Sequence, residues 1–380
     1  MNAMIYDRGH QGSGIIMAKF RHFVASVGLL AGLGAPLGAQ DNSAPPAPPP
    51  PVPMERAVPT WSHDRSGLTL PGTLAGFQRT GSKQFDQDGY NIGINFRDNA
   101  SGSWADLFIY RAAPASVAVW GDRAAAGMFA NPMLGEVDLA TIKVARFTPP
   151  NGAGDNSGLR IVTPVKNDLS ASGLAIYLHD GWLVKLRMSS RTMDVAAMEA
   201  RMSEFVAALT LPAATQPAPP FAEIANCAAP MKPGKKAKMI ELDMTSTIIF
   251  GGLLGVELGK QDDEAPAQAA APEVPFCRDP ASVPQYGIYR RGDAVEGYLI
   301  AFGDTGTSLT VAPYDLGPLM KPSRGFTVRQ SDGVTEQVYP PFAALPSPEQ
   351  AMGLPGKVGV VFSAGLMPGG KGPTINVQAE

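Results

Sequence analysis

Three Asp-Gly pairs constrain this chain more than any other feature. Asp88-Gly89, Asp180-Gly181 and Asp332-Gly333 each stand between two runs of alternating apolar and polar residues. Glycine, and to a lesser degree aspartate, tolerates the positive φ of a tight hairpin turn, so each pair marks a reversal between antiparallel neighbours. Residues 77–85 and 90–97 flank the first pair, and 104–111 closes a three-strand meander. Residues 174–179 and 182–188 flank the second, and 325–330 and 334–339 the third. With 42 glycines and 36 prolines in 380 residues, the remaining elements are expected to be short as well.

Between the first two hairpins, residues 114–131 have helical composition, with Val117, Trp120, Ala124, Met128 and Phe129 at roughly helical spacing. Residues 140–147 and 159–165 read as strands. Residues 194–211 carry the clearest helical stripe: Val195, Met198, Met202, Phe205, Val206 and Leu209, with Asp194 as N-cap and Pro212 as stop.

The N-terminal part reads differently. Lys19, Arg21 and His22 precede an apolar run over 23–33, which ends in Pro36-Leu37-Gly38-Ala39. A basic head, an apolar middle and a small-residue exit describe a secretory signal peptide over 17–39, cleaved near Ala39. The run is well short of the roughly 20 residues of a membrane span, so cleavage is favoured over a signal anchor and no span is expected afterwards. Residues 1–16 show no structural pattern and read as a mis-assigned start. Residues 40–71 begin with a proline-rich stretch, an extended spacer. The destination expected is the periplasm or the exterior.

Two cysteines, Cys227 and Cys277, fit an oxidising compartment better as a disulfide than as a metal site, because no Cys-x-x-Cys or Cys-His spacing accompanies them. No metal and no cofactor is expected. The net charge of −3 gives no electrostatic reason to expect nucleic acid.

The proline-rich residues 213–220 read as a linker between a first domain, 72–212, and a second, 221–380. The fold class expected is α+β: an N-terminal antiparallel sheet with packed helices, plus a C-terminal β-rich domain with one disulfide. In the second domain, 244–258 is apolar and β-branched at its start and reads as a buried strand and turn. Residues 286–289, 296–302, 307–313 and 357–363 read as strands. Ser347-Pro348-Glu349-Gln350 reads as a capping box opening a short helix. Lys232, Lys235, Lys236 and Lys238 form a small basic cluster, read as a solvated loop.

The element order of the first domain, with strands 90–97 and 104–111, the Asp-Gly-Trp-Leu-Val strand at 180–184 and the closing helix, resembles the PsbP-like antiparallel α/β/α sandwich. The resemblance implies a binding or accessory role, and it names no site residue.

The sharpest chemical motif is Asp304-Thr305-Gly306-Thr307-Ser308, which resembles the catalytic turn of aspartic proteases of the pepsin and retropepsin type. In that chemistry the aspartate shares a proton with a second aspartate, so that one acts as base. Three departures stand against it. Gly303 replaces an apolar strand residue, no second Asp-Thr/Ser-Gly occurs, and the downstream apolar-apolar-Gly segment is unconvincing. A dyad would therefore need a homodimer using Asp304 from each copy. The plainer reading is a Gly-Asp-Thr-Gly hairpin turn.

The other motifs are weaker. Asp86-Gln87-Asp88-Gly89 reads as a turn rather than a calcium loop. His63-Asp64 and His179-Asp180 are sequence neighbours, which point to opposite faces of a strand and make no dyad. The sequence thus reads as an exported protein without a complete catalytic set, its partner an envelope protein or a small ligand.

Overall fold

The computed structural model describes residues 60–231, 236–263, 275–292, 296–316, 323–367 and 374–375. The expected signal peptide at 17–39, the segment 1–16, spacer residues 40–59, Lys232 and Lys235 lie outside them. The described residues all fall in one unit, Pro51–Glu380, as contacts divide the chain.

The first hairpin, β1 (Thr60–His63) and β2 (Leu68–Pro71), lies within the stretch read as spacer. Leu68 and Leu70 are fully buried in the core, so this end of the stretch belongs to the fold. There follow β3 (Thr73–Leu74), β4 (Phe77–Gln84), β5 (Asn91–Asp98) and β6 (Ser103–Tyr110), then helix α1 (Val117–Phe129). Next come β7 (Lys143–Phe147), β8 (Gly158–Pro164), β9 (Ala171–His179), β10 (Trp182–Ser190) and helix α2 (Val195–Ala207). Strands β3 to β10 form an eight-stranded antiparallel sheet in the order β3-β4-β5-β6-β10-β9-β8-β7.

Turn chemistry sets the register. Asp180 and Gly181 both have positive φ, 45° and 76°, and the two-residue turn pairs His179 with Trp182. Helix α2 buries Met198, Met202 and Phe205 completely, and Phe205 meets the rings of Phe77 and Phe96 edge-on. Burying one such side chain stabilises by about 1.5–3 kcal/mol. Asp194 caps the helix by accepting from the Ala197 amide at 2.8 Å.

The second half opens with β11 (Ala225–Asn226) and helix α3 (Met244–Asp263). It continues through β12 (Phe276–Arg278), β13 (Tyr286–Arg291), β14 (Tyr298–Phe302), β15 (Ser308–Asp315), β16 (Arg324–Ser331) and β17 (Thr335–Phe342). Helix α4 (Pro348–Met352), β18 (Phe362–Gly365) and β19 (Thr374–Ile375) complete it. Strands β11 to β19 form a nine-stranded sheet in sequence order, parallel only between β11 and β12. Ser347 and Gln350 form the expected capping box.

The α+β class is corrected here. The fold is sheet-dominated, 41% strand against 17% helix, in three sheets. Glycine turns return each strand onto its neighbour, so strands take up more than twice as much of the chain as helices. A second correction runs the other way: 244–258, read as strand and turn, lies in α3. Asp243 starts this helix by accepting from the Ser246 amide at 2.7 Å, and Thr247 and Phe250, three apart, are buried. The cap and the three-residue spacing outweigh the β-branched composition. Within the residues read as a linker, the amides of Ala214 and Ala218 donate to the carbonyls of Asn151 and Ala153, and just beyond it the Phe221 amide donates to that of Asn156.

Candidate functional site

Asp304 sits at the tip of the β14–β15 hairpin, and the tip is pressed against the eight-stranded sheet. The turn is braced from within, since the Thr305 hydroxyl donates to the Phe302 carbonyl at 2.9 Å and the Phe302 amide to the Thr307 carbonyl at 3.0 Å. Gly306 has φ +84°, and a Cβ there would lie 2.6 Å from the Arg111 carbonyl oxygen. That close approach lets the Ala113 amide donate to the Gly306 carbonyl at 3.0 Å. A second tip docks beside it, where a Cβ on Gly333 would lie 2.5 Å from the Ala112 nitrogen.

The Asp304 carboxylate meets three groups of the first sheet. Lys185 Nζ donates at 2.6 Å, Arg187 Nη2 at 3.2 Å, and the Tyr110 hydroxyl approaches at 3.4 Å. The Lys185 side chain is only 5% exposed and that of Asp304 17%. Burial pulls the Lys185 ammonium below its ordinary value, opposed by the Asp304 charge, and Arg187 adds to the lowering. Burial, with the nearby Asp304 carboxylate, pushes the Tyr110 phenol well above its ordinary value. Among the described residues, no second carboxylate is bonded to Asp304.

Helix α1 supplies the rest of the junction. Asp122 accepts from Arg278 Nη1 at 2.5 Å and from the Tyr289 hydroxyl at 2.6 Å. Arg123, buried, donates to the carbonyls of Gly303 at 3.1 Å, Val283 at 3.3 Å and Pro284. Beneath these polar contacts one apolar cluster runs through both halves, with Trp120, Leu159 and Ile176 from the first and Tyr289, Leu299 and Ala301 from the second. The junction therefore has an apolar floor and a charged rim of named ion pairs. Its chemistry is that of a fastening: the carboxylates accept from cations, and the glycines let backbones meet.

The sequence singled out Asp304 and missed its partners. The available signal was the cationic pair Lys185 and Arg187 on alternate positions of strand β10, which is otherwise apolar from Trp182 to Met188; the spacing puts both on one face. Cys227 and Cys277 are joined as a disulfide, as expected. His63 bonds through Nδ1 to the Ser66 hydroxyl at 2.7 Å and through Nε2 to the Gly89 carbonyl at 2.8 Å. The Asp180 carboxylate accepts from Thr215 and Gln216 rather than orienting His179. Asp86 accepts from the Gly89 and Tyr90 amides at 2.8 Å, closing a turn. Among the described residues no group of three or more His, Cys, Asp or Glu could hold a metal, and no helix is long and apolar enough to cross a membrane. A cavity of about 250 Å³ lies between β8, β9 and α2, with Ala175, Met202 and Val206 in its lining. The Arg160 guanidinium on its wall is committed to Ser203 and Glu199.

No protein-family model matches the chain, and no curated protein matches its sequence.

Proposed function

We propose that this protein is exported, resides in the periplasm or outside the cell, and serves there in a binding or accessory role without catalysing a reaction. The observation that carries the reading is the commitment of Asp304 to Lys185 and Arg187 across the two halves of the fold. A proton-sharing dyad needs a second carboxylate beside the first, whereas this one has cations beside it. The basic-apolar leader at 17–39, the proline-rich stretch after it and the Cys227–Cys277 disulfide support export.

The rival reading is a homodimeric aspartic protease using Asp304. Peptidase assays at acid pH on the wild type and on Asp304→Asn decide between them. The accessory reading expects no cleavage from either. Cleavage by the wild type that Asp304→Asn abolishes would overturn it, provided the variant stays folded by circular dichroism.

A further inference from the structure

The cavity of about 250 Å³ under helix α2 arises from small residues on the strands beneath it. Gly173 and Ala175 stand at alternate positions of β9 and share the face that α2 covers. Met202 Sδ takes up the space over Gly173. Over Ala175 the space stays open, bounded by Met202 and Val206 of α2 and by Phe147 of β7. Phe147 is held there by edge-on packing against Tyr177, with ring centroids 6.0 Å apart. Protein interiors hold few voids larger than a water molecule, so a space of this size against a core helix is unusual. Its floor is buried, with Ala175 1%, Met202 0% and Val206 6% exposed, whereas Thr148, Ser203 and Ala207 at its mouth are exposed.

The lining carries one cation, and that cation is balanced. Arg160 Nη2 donates to Glu199 at 2.8 Å and Nη1 to the Ser203 hydroxyl at 2.6 Å, and that hydroxyl donates its own proton to the Glu199 carbonyl at 2.9 Å. Thr148 differs. Its hydroxyl oxygen accepts from the Asn156 amide at 3.1 Å, and among the described residues its proton has no bonded acceptor. We infer that this cavity binds a small uncharged apolar molecule with one hydrogen-bond acceptor, of the class of an aromatic ketone, its hydrocarbon part over Ala175 and its acceptor at the Thr148 hydroxyl. The size follows from the volume: an apolar cavity of about 150 Å³ holds benzene, so this one holds a ligand of about ten heavy atoms. Water is a poor occupant, because it needs about two to four polar partners and the floor supplies none. A carboxylate is disfavoured, because Arg160 is already paired with Glu199 and a second anion beside them would be left uncompensated.

Ala175 belongs to the core on the α2 side of the eight-stranded sheet, and its neighbour Ile176 to the core that meets the second half. The cavity therefore lies on the face away from Asp304. It gives the proposed binding role a ligand class and rests on that reading, yet the two fail separately. Peptidase activity through Asp304 would end the accessory reading, whereas absence of ligand binding here would end only this site.

Ligand-observed NMR titration of the purified protein, with propiophenone as the probe, is the test. The wild type is expected to bind it saturably with a Kd of about 0.1–1 mM, the range open to a ligand of about ten heavy atoms. Thr148→Val, which keeps the shape and removes the donor, is expected to bind about three- to tenfold more weakly. Ala175→Leu fills the floor and Ala207→Trp caps the mouth, and both are expected to abolish binding with the circular dichroism unchanged. Ala207 is exposed, so its variant stays informative where a core substitution at 175 disturbs folding. The charged probe 3-phenylpropanoate, of similar size, is expected to show no saturable binding. A wild type that fails to bind propiophenone overturns the inference. So do binding that survives both filling variants, equal affinity for 3-phenylpropanoate, and undiminished affinity in Thr148→Val.

Discussion

Lys185 Nζ lies 2.6 Å from Asp304 Oδ2, and this contact ties a central strand of one large sheet to a hairpin tip of the other. The two residues are 119 positions apart in sequence. Removing one partner of a buried pair leaves the other charge without compensation, which is strongly destabilising, about 3–5 kcal/mol where burial is deep. Asp304→Ala is expected to fall near the lower end of that range, because Arg187 is 29% exposed and water reaches that side of the carboxylate. A second change, Lys185→Met, made in the Asp304→Ala background, is expected to recover much of the loss by removing the stranded ammonium. Urea unfolding of the wild type and the two variants checks this. A loss under about 1 kcal/mol for Asp304→Ala would mean that the pair is only a surface contact.

Two glycines of the same turn separate backbone conformation from docking. Gly303 has φ +49° with open space around it, its nearest neighbour being Thr305 Cγ2 at 3.7 Å from an added Cβ. Gly306 has φ +84° and faces the Arg111 carbonyl oxygen at 2.6 Å from an added Cβ. Gly303→Ala is expected to cost about 1–2 kcal/mol, from the left-handed backbone alone. Gly306→Ala is expected to cost more, because it also pushes the tip off Ala112 and Ala113. Denaturant midpoints give the ranking, and equal losses at the two positions would remove close approach as the reason for Gly306.

What was legible in the sequence was local. The hairpin at Asp180-Gly181, the stripe of Met198, Met202 and Phe205, and the Ser347 cap all depend on residues within a few positions of one another. Asp304 was legible as a motif and not as a site, because Tyr110, Lys185 and Arg187 reach it from more than a hundred residues away. Gly306 carries a demand that the motif does not encode: it is small so that another segment's backbone can approach. Helix α3 was misread for a related reason. Its β-branched start favours a strand locally, whereas the Asp243 cap and the burial of Phe250 decide for helix. The sheet-dominated class follows from the same non-local accounting, since strand partners, unlike helical hydrogen bonds, come from elsewhere in the chain.

Stability is expected to fall on acidification. His179 is 2% exposed, and burial lowers its proton affinity below the ordinary value of 6.5. Burial does the same to His63, opposed by the Gly89 carbonyl and by Asp64. An unfolded histidine takes its proton near pH 6.5, and these folded ones only at lower pH, so below that value the unfolded chain binds more protons. Their stabilising contribution is therefore complete above pH 6.5 and shrinks as the pH falls toward their folded values. Urea midpoints at pH 7.5 and pH 5 should show the loss, and His179→Leu should flatten that part of the profile. A midpoint that does not change between the two values would contradict the assignment.

The disulfide should matter most for the segment it pins. Cys227 and Cys277 are separated by 50 residues, and closing a loop of that length stabilises by about 4 kcal/mol in the chain-entropy account. Two further contacts hold the same segment: Arg290 donates to the Ala229 carbonyl, and Asp279 accepts from the Met231 amide at 2.7 Å. Arg290 and Asp279 are themselves a pair with side chains 1% exposed, Asp279 just after β12, which carries Cys277, and Arg290 on the neighbouring β13. Reduction should therefore lower global stability while leaving 229–231 attached, so that the native far-ultraviolet spectrum survives at neutral pH. Adding Asp279→Asn to the reduced protein removes the negative charge facing Arg290 and weakens the remaining hold, and limited proteolysis should then cut first within 225–231. Cleavage there on reduction alone, at the same rate as in the reduced variant, would show that the disulfide holds the segment without help from the buried pair.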